Sequence, residues 1–258
     1  MLDRRSSRLA LLGPLVLLLG TVLLLAPALP ARAEAVPDAV RKKKIKKLGR
    51  TLAKKARSPR APKYKAEILD LIEALGVLGG PEAAEASLRG VPMDDPAVRD
   101  RIFALVEKEH APALVAPLAA LLEAKPYRRD FDLRKRVARS LAVMADFKAV
   151  EPLARLVRTD EDANVVATAA ESLATYAEAP LPARKVAVKR LIDTYTTTYN
   201  LMLSMKPDQK VIASLMKKRY KIYARPIRGA LQALTGQQLT RPQDWRTWWN
   251  KHKKDNDW

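Results

Sequence analysis

The segment Val115-Ala116-Pro117-Leu118-Ala119-Ala120-Leu121-Leu122 returns thirty-five positions later as Val150-Glu151-Pro152-Leu153-Ala154-Arg155-Leu156-Val157. A period of roughly 30–47 residues marks stacked helix pairs, because one pair cannot hide its apolar face and its neighbours must cover it. The expected fold is therefore all-α, an α-solenoid of about five antiparallel helix pairs. Composition agrees: aromatics make up only 5% of the chain, and Ala, Leu and Val carry the apolar content that close helix packing uses.

The first helix of each pair aligns on Leu75, Leu105, Leu141, Leu173 and Leu234, with gaps of 30, 36, 32 and 61 residues. The last gap predicts one atypical or expanded pair. Seven residues earlier stand Ile68, Val98, Val166 and Ile227. Two helical turns put i and i+7 on one face, so both point into the stack. In the third unit that register falls on Arg134, with Leu133 one step before it. Gly79-Gly80-Pro81, Asp94-Asp95-Pro96 and Asp160-Glu161-Asp162 read as turns that end one helix and cap the next. Pro117 and Pro152 recur at one repeat position, as a shared kink or a late helix start.

These features resemble the HEAT and HEAT-like repeat family. The residues that carry the likeness are Pro96-Ala97-Val98-Arg99 with Ala104-Leu105, the two matched segments above, and Pro226-Ile227-Arg228 with Ala233-Leu234. It spans roughly residues 66–240. The resemblance implies a right-handed superhelix serving as a protein-interaction scaffold, and it is almost silent on activity. Leu234-Thr235-Gly236 followed by paired tryptophans is similar to the endings of exported bacterial members.

Arg4, Arg5 and Arg8 precede an apolar run from Leu9 to Leu29, and Ala31-Arg32-Ala33 follows. That order is a secretory signal peptide, so residues 1–33 are expected to be cleaved after Ala33 and the body to be exported, periplasmic or secreted. The rival reading is a retained amino-terminal membrane anchor. The chain contains no cysteine, which excludes disulfides, thiolate metal sites, thiol catalysis and a lipoprotein anchor.

The net charge of +20 is concentrated in residues 34–65, which hold thirteen basic and two acidic residues. If residues 41–57 are helical, Ile45, Leu48, Leu52 and Ala56 form one stripe, surrounded by Lys42, Lys43, Lys44, Lys46, Lys47, Lys54 and Lys55. Such a helix can bind an anionic membrane surface or another polyanion, or it can dock its stripe on the first repeat as a solvated linker. Ser58-Pro59-Arg60-Ala61-Pro62 predicts an extended, mobile stretch after about residue 57. The leader argues against specific nucleic-acid binding.

Toward the carboxyl end, long helices are expected over about 183–205 and again after Lys206-Pro207-Asp208, with Pro226 kinking the second or starting a new one. Tyr195, Tyr199, Tyr220 and Tyr223 read as half-buried core, or as the lining of a groove. Trp245, Trp248 and Trp249 fall at i, i+3 and i+4 of a last helix, to cap the stack or to offer an aromatic contact. Lys251-His252-Lys253-Lys254 reads as a frayed exit.

The two histidines, His110 and His252, lie far apart, and no His/Asp/Glu cluster or glycine-rich loop has the spacing of a metal or phosphate site. No cofactor is expected. The leading expectation is a non-catalytic exported scaffold that binds another protein. An anionic-surface module working through residues 41–57 is the alternative, and an enzyme of unknown class the third.

Overall fold

The i, i+7 leucine register defines a row of helices that cover one another. A computed structural model describes residues 37–204 and 210–258; the leader with its cleavage after Ala33, and the Lys206-Pro207-Asp208 turn, lie outside them. Among the described residues all regular structure is helical. These described residues form eleven α-helices: α1 (Asp38–Ala56), α2 (Lys65–Leu78), α3 (Pro81–Ser87), α4 (Pro96–Glu109), α5 (Val115–Glu123), α6 (Phe131–Val143), α7 (Val150–Thr159), α8 (Ala163–Ala174), α9 (Leu181–Ser204), α10 (Lys210–Thr235) and α11 (Pro242–His252).

The five aligned leucines sit in α2, α4, α6, α8 and α10, and all are buried. So are Ile68, Val98, Val166 and Ile227 two turns earlier. These even-numbered helices touch in chain order, α2 to α4, α4 to α6, α6 to α8 and α8 to α10. The odd-numbered helices form a second row: α1 meets α3, α7 meets α9, and α9 meets α11. Short 3₁₀ turns, Pro112–Leu114 and Phe147–Ala149, bridge α3 to α5 and α5 to α7. Val115, Leu118 and Leu122 of α5 and Val150, Leu153 and Val157 of α7 are buried between the rows.

Pro117 and Pro152 resolve into a late start. Each is the third residue of its helix, directly after a 3₁₀ turn, where an N–H has no partner within the helix to lose. The expanded unit is α9 with α10, which run 24 and 26 residues. Pro226 does not begin a new helix; it lies inside α10.

Of the readings of residues 41–57, the structure has the stripe docked: Ile45, Gly49, Leu52 and Ala56 are buried, and α1 (38–56) packs against α2 and α3. Two other expectations need correction. The stretch after residue 57 is likewise compact, turning through a 3₁₀ helix at Ala61–Tyr64 straight into α2. At the other end, Lys253–Trp258 is no frayed exit. Trp258 donates its indole N–H to the His252 carbonyl at 3.2 Å, and Lys185 of α9 donates to the Asp255 carbonyl at 2.5 Å.

Arg134 occupies the register position that is apolar in the other units, and it is buried there with a partner. Its guanidinium meets Asp160 at 2.6–2.7 Å and donates to the Leu122 carbonyl at 2.8 Å; the two side chains are 9% and 2% exposed. Removing one partner of such a pair strands the other charge, at about 3–5 kcal/mol, whereas replacing both by apolar or neutral groups is often near neutral. In urea denaturation, Asp160→Ala should lose about that much, and Arg134→Leu combined with Asp160→Asn should regain most of it.

The turns within pairs share a left-handed residue. Gly79 (φ 61°), His110 (φ 45°), Ala145 (φ 50°) and Gly236 (φ 72°) close α2, α4, α6 and α10. A Cβ in that conformation costs roughly 1–2 kcal/mol, so Ala145→Gly should stabilise the chain by up to about 1 kcal/mol once the extra chain entropy of glycine is offset. A lowered melting temperature for that variant would contradict this account of the turn.

Candidate interaction surfaces

Three surfaces follow from this arrangement, each built from helices whose apolar side is already committed to the core.

The first is the outer side of α1. With 3.6 residues per turn, Lys43, Lys46, Lys47, Arg50 and Lys54 fall within about 100° of arc, away from the stripe of Ile45, Gly49, Leu52 and Ala56. All five are exposed, and none joins a described residue in an ion pair. Lys44 is exposed on the flank of that arc. Lys42 and Lys55 are compensated: Lys42 lies 3.3 Å from Asp38, and Lys55 meets Glu67 at 2.5 Å with its ammonium 4.3 Å from the centre of the Tyr64 ring. Arg41 is structural. It donates to the carbonyls of Leu78 (2.9 Å) and Gly79, capping the end of α2, and a side chain at Gly80 would collide with it.

The second surface is a cleft of about 800 Å³ between α4 and α6, which sequence reasoning missed. Phe103, Phe131, Arg99, Arg129, Arg136 and Arg139 are among its walls. Arg99 bridges Asp94 (3.0 Å) and Asp130 (2.6 Å), and Asp130 also caps α6 by accepting the Leu133 N–H at 3.0 Å. Arg136 reaches Glu107 at 3.1 Å and lies 5.6 Å from the Phe103 ring centre. The carboxyl of Asp132 is held below the usual range by the hydrogen bond and charge of Lys135. Arg129, Arg139 and Asp100 line the cleft without an ion pair to any described residue. The only sequence signal for this cleft is the spacing of Arg99 and Asp130, one repeat apart, which means something only after the helices have been put in register.

The tryptophans form the third. Trp245 is fully buried, and its indole N–H has no hydrogen-bond partner among the described residues. Trp248 and Trp249 are half-buried, and Trp258 stands edge-on to both, with ring centres 5.3 and 6.3 Å away. Arg184 of α9 lies 5.5 Å from the centre of the Trp258 ring, and His252 stacks on Trp248 at 5.2 Å. The three predicted residues are therefore together, with a fourth indole from the tail laid over the outer two. The predicted tyrosines are also gathered: Tyr195 stacks on Tyr220 at 5.6 Å, and Tyr223 donates to Thr198 Oγ1. Desolvation and its own hydrogen bond to Tyr195, whose O–H donates to the Thr240 carbonyl at 3.0 Å, push the Tyr220 phenol up.

No group of three or more His, Asp or Glu among the described residues is placed to hold a metal ion. His110 ends α4 in a left-handed turn, and Asp160 and Asp162 serve the buried pair and the α8 cap. Compared with family models, curated proteins and solved structures, the chain matches none.

The Trp258 contacts make a local test. Edge-on aromatic pairs contribute about 0.5–1.5 kcal/mol beyond area burial. Trp258→Ala should lower stability by about that amount and shift the remaining tryptophan emission to longer wavelength as Trp248 and Trp249 become wetter. An unchanged spectrum would show that the tail does not cover them in solution.

Proposed function

We propose that this chain is a non-catalytic, exported HEAT-like scaffold, a right-handed α-solenoid that binds another protein across its repeats. The observation that carries the reading is the double row. Even- and odd-numbered helices each cover the next, so their apolar faces are spent on one another and side chains of several repeats are left facing outward. The α4–α6 cleft suits a protein partner best. Arginine and aromatic side chains are enriched at protein interfaces, and here Arg129 and Arg139 stand beside Phe131 over a floor containing Phe103. Arg99 and Arg136 are already fixed by carboxylates, so that wall is pre-ordered and loses little entropy on binding.

A second reading has its own observation in the five exposed cations on the outer arc of α1, none paired with a described residue. Fixed on a docked helix, they form a rigid array along about 16 Å, which favours a polyanion or anionic surface.

Salt and substitution separate the two. A photoreactive residue placed at Arg139 in intact cells should give a discrete protein adduct that survives high salt and is lost when Arg129 and Phe131 are changed to Ala. Hot-spot truncations of this kind cost 2 kcal/mol or more, about thirtyfold in affinity. If the Arg139 position captures nothing, and all binding vanishes between low and moderate salt or on changing Lys43, Lys46, Lys47, Arg50 and Lys54 to Gln, the α1 reading stands instead.

A further inference from the structure

The expanded unit leaves something over. Between Thr198 of α9 and Tyr223 of α10 no described residue is buried. The last turns of α9 and the first turns of α10 thus extend past the rows that cover the remainder of both helices. Their outward side chains are aliphatic: Leu201, Leu203, Val211, Ile212 and Leu215 are all exposed, Val211 at 84%.

The wheel of α10 separates three faces. Met216, Tyr220 and Tyr223 point toward α9, with Tyr220 against Tyr195 and Tyr199 and Tyr223 against Thr198. Val211, Ile212 and Leu215 fall within about 100° of arc beside that face, so α9 does not cover them. Lys210, Lys217 and Lys221 lie on the far side, with Lys218 at the border. None of these lysines joins a described residue in an ion pair. Between Asp193 and Asp244 eight described residues are Lys or Arg, and no described residue is acidic. Arg219 is spent on structure, donating to the carbonyls of Asp160 (3.2 Å) and Glu161.

We propose that this projecting end of the α9–α10 pair docks on an anionic lipid surface, with Val211, Ile212, Leu215, Leu201 and Leu203 entering the headgroup boundary and Lys210, Lys217 and Lys218 holding anionic headgroups. Charge complementarity selects the occupant. A basic face with no acid among its described residues, beside an exposed aliphatic face, is the pattern of an interfacial helix. Protein interfaces are poor in lysine and rich in arginine and aromatics, and this end has lysines and no exposed aromatic ring. No described helix is long and apolar enough to cross a membrane, so the contact is peripheral. The site is separate from the α4–α6 cleft and from α1, and the inference depends on neither reading of them.

The absence of cysteine permits a local probe that ignores binding elsewhere on the chain. Val211→Cys in the full chain takes an environment-sensitive dye; Val77→Cys on α2, where the native residue is 83% exposed, is the control. On vesicles of equal parts phosphatidylglycerol and phosphatidylcholine, the dye at 211 should shift to the blue and be quenched by an acyl-chain quencher, and the dye at 77 should not. Changing Lys210, Lys217 and Lys218 to Glu should raise the half-saturating lipid concentration by about tenfold or more. The proposal is overturned if the dye at 211 keeps its aqueous emission while the chain is bound to vesicles. It is equally overturned if the charge reversal changes nothing, or if the shift appears with protein concentration alone, which would make the patch a contact between two copies.

Discussion

Coverage of each even-numbered helix by the next is the interaction on which the rest depends. The helices from α2 to α8 have 7–14 residues, and segments of that length are marginal in water by themselves. Their stability comes from burying Ile68 and Leu75, Val98 and Leu105, or Val166 and Leu173 against a neighbour. Hydrophobic burial is not directional, so something else has to set the register. Ion pairs one repeat apart do this: Arg99 with Asp130, Arg136 with Glu107, Arg128 with Glu161, and Arg155 with Glu123. The exposed members contribute about 0–1 kcal/mol each, too little to hold the stack but enough to disfavour a slipped one. Arg134 with Asp160 goes further, since a slip would leave a charge buried without its partner.

A row of this kind has two ends, and each is closed differently. The amino-terminal end is closed by α1, whose buried stripe covers α2 and α3 while its charge faces water. Asp38 in the first turn and Lys54 and Lys55 in the last suit the helix dipole, which offsets part of the repulsion among the lysines. The carboxyl-terminal end is closed by α11 and the returning tail, where indole rings supply more area per residue than any aliphatic side chain. One end therefore doubles as a charged surface. The other is consumed by its own chain.

The parts of this fold legible in the sequence are those written in local periodicity. The branched residue two turns before four of the leucines and the tryptophan stripe depend on spacings within one helix, and the leucine register and the repeated prolines on the repeat period. The structure buries the first three, Trp248 and Trp249 in part, and starts α5 and α7 just before the prolines. What stayed illegible depends on contacts between distant segments. Trp258 follows the last helix without any periodic context, so nothing marks it as the cover of Trp248 and Trp249. The cleft arginines look like solvated charges until their partners a repeat away are in place. Ala145 gives no warning of a left-handed backbone, because the turn signal normally comes from glycine or asparagine. In α1 the apolar stripe was readable, but thirteen basic residues without an acid between Arg41 and Lys65 left open whether the helix serves an anionic surface or docks on the first repeat. The tie-breaker was Gly49, whose missing side chain lets α1 approach Ala86, 3.1 Å from where its Cβ would stand.

The α9–α10 pair is where the covering rule fails, and the failure is chemically specific. Elsewhere the uncovered positions are mostly polar or charged, with exceptions such as Val77 and Phe147, and several of the charges are neutralised by a partner from the next repeat. Lengthening two helices beyond their neighbours removes those partners, so each added turn must face solvent or a new surface. A solvated extension would be expected to carry mixed charges, as α4 and α6 do on their outer sides. Its described residues are aliphatic side chains and lysine without an acid, a composition that neither water nor the chain's own helices satisfy. Aliphatic area and unpaired positive charge at one place suit a surface that is apolar beneath and negative above, the occupant proposed for this end. The cleft between α4 and α6 has the opposite character, with rigid guanidinium groups and aromatic rings. Under the two proposals the sites compete for no common ligand, so the chain would hold a protein partner while resting on a membrane.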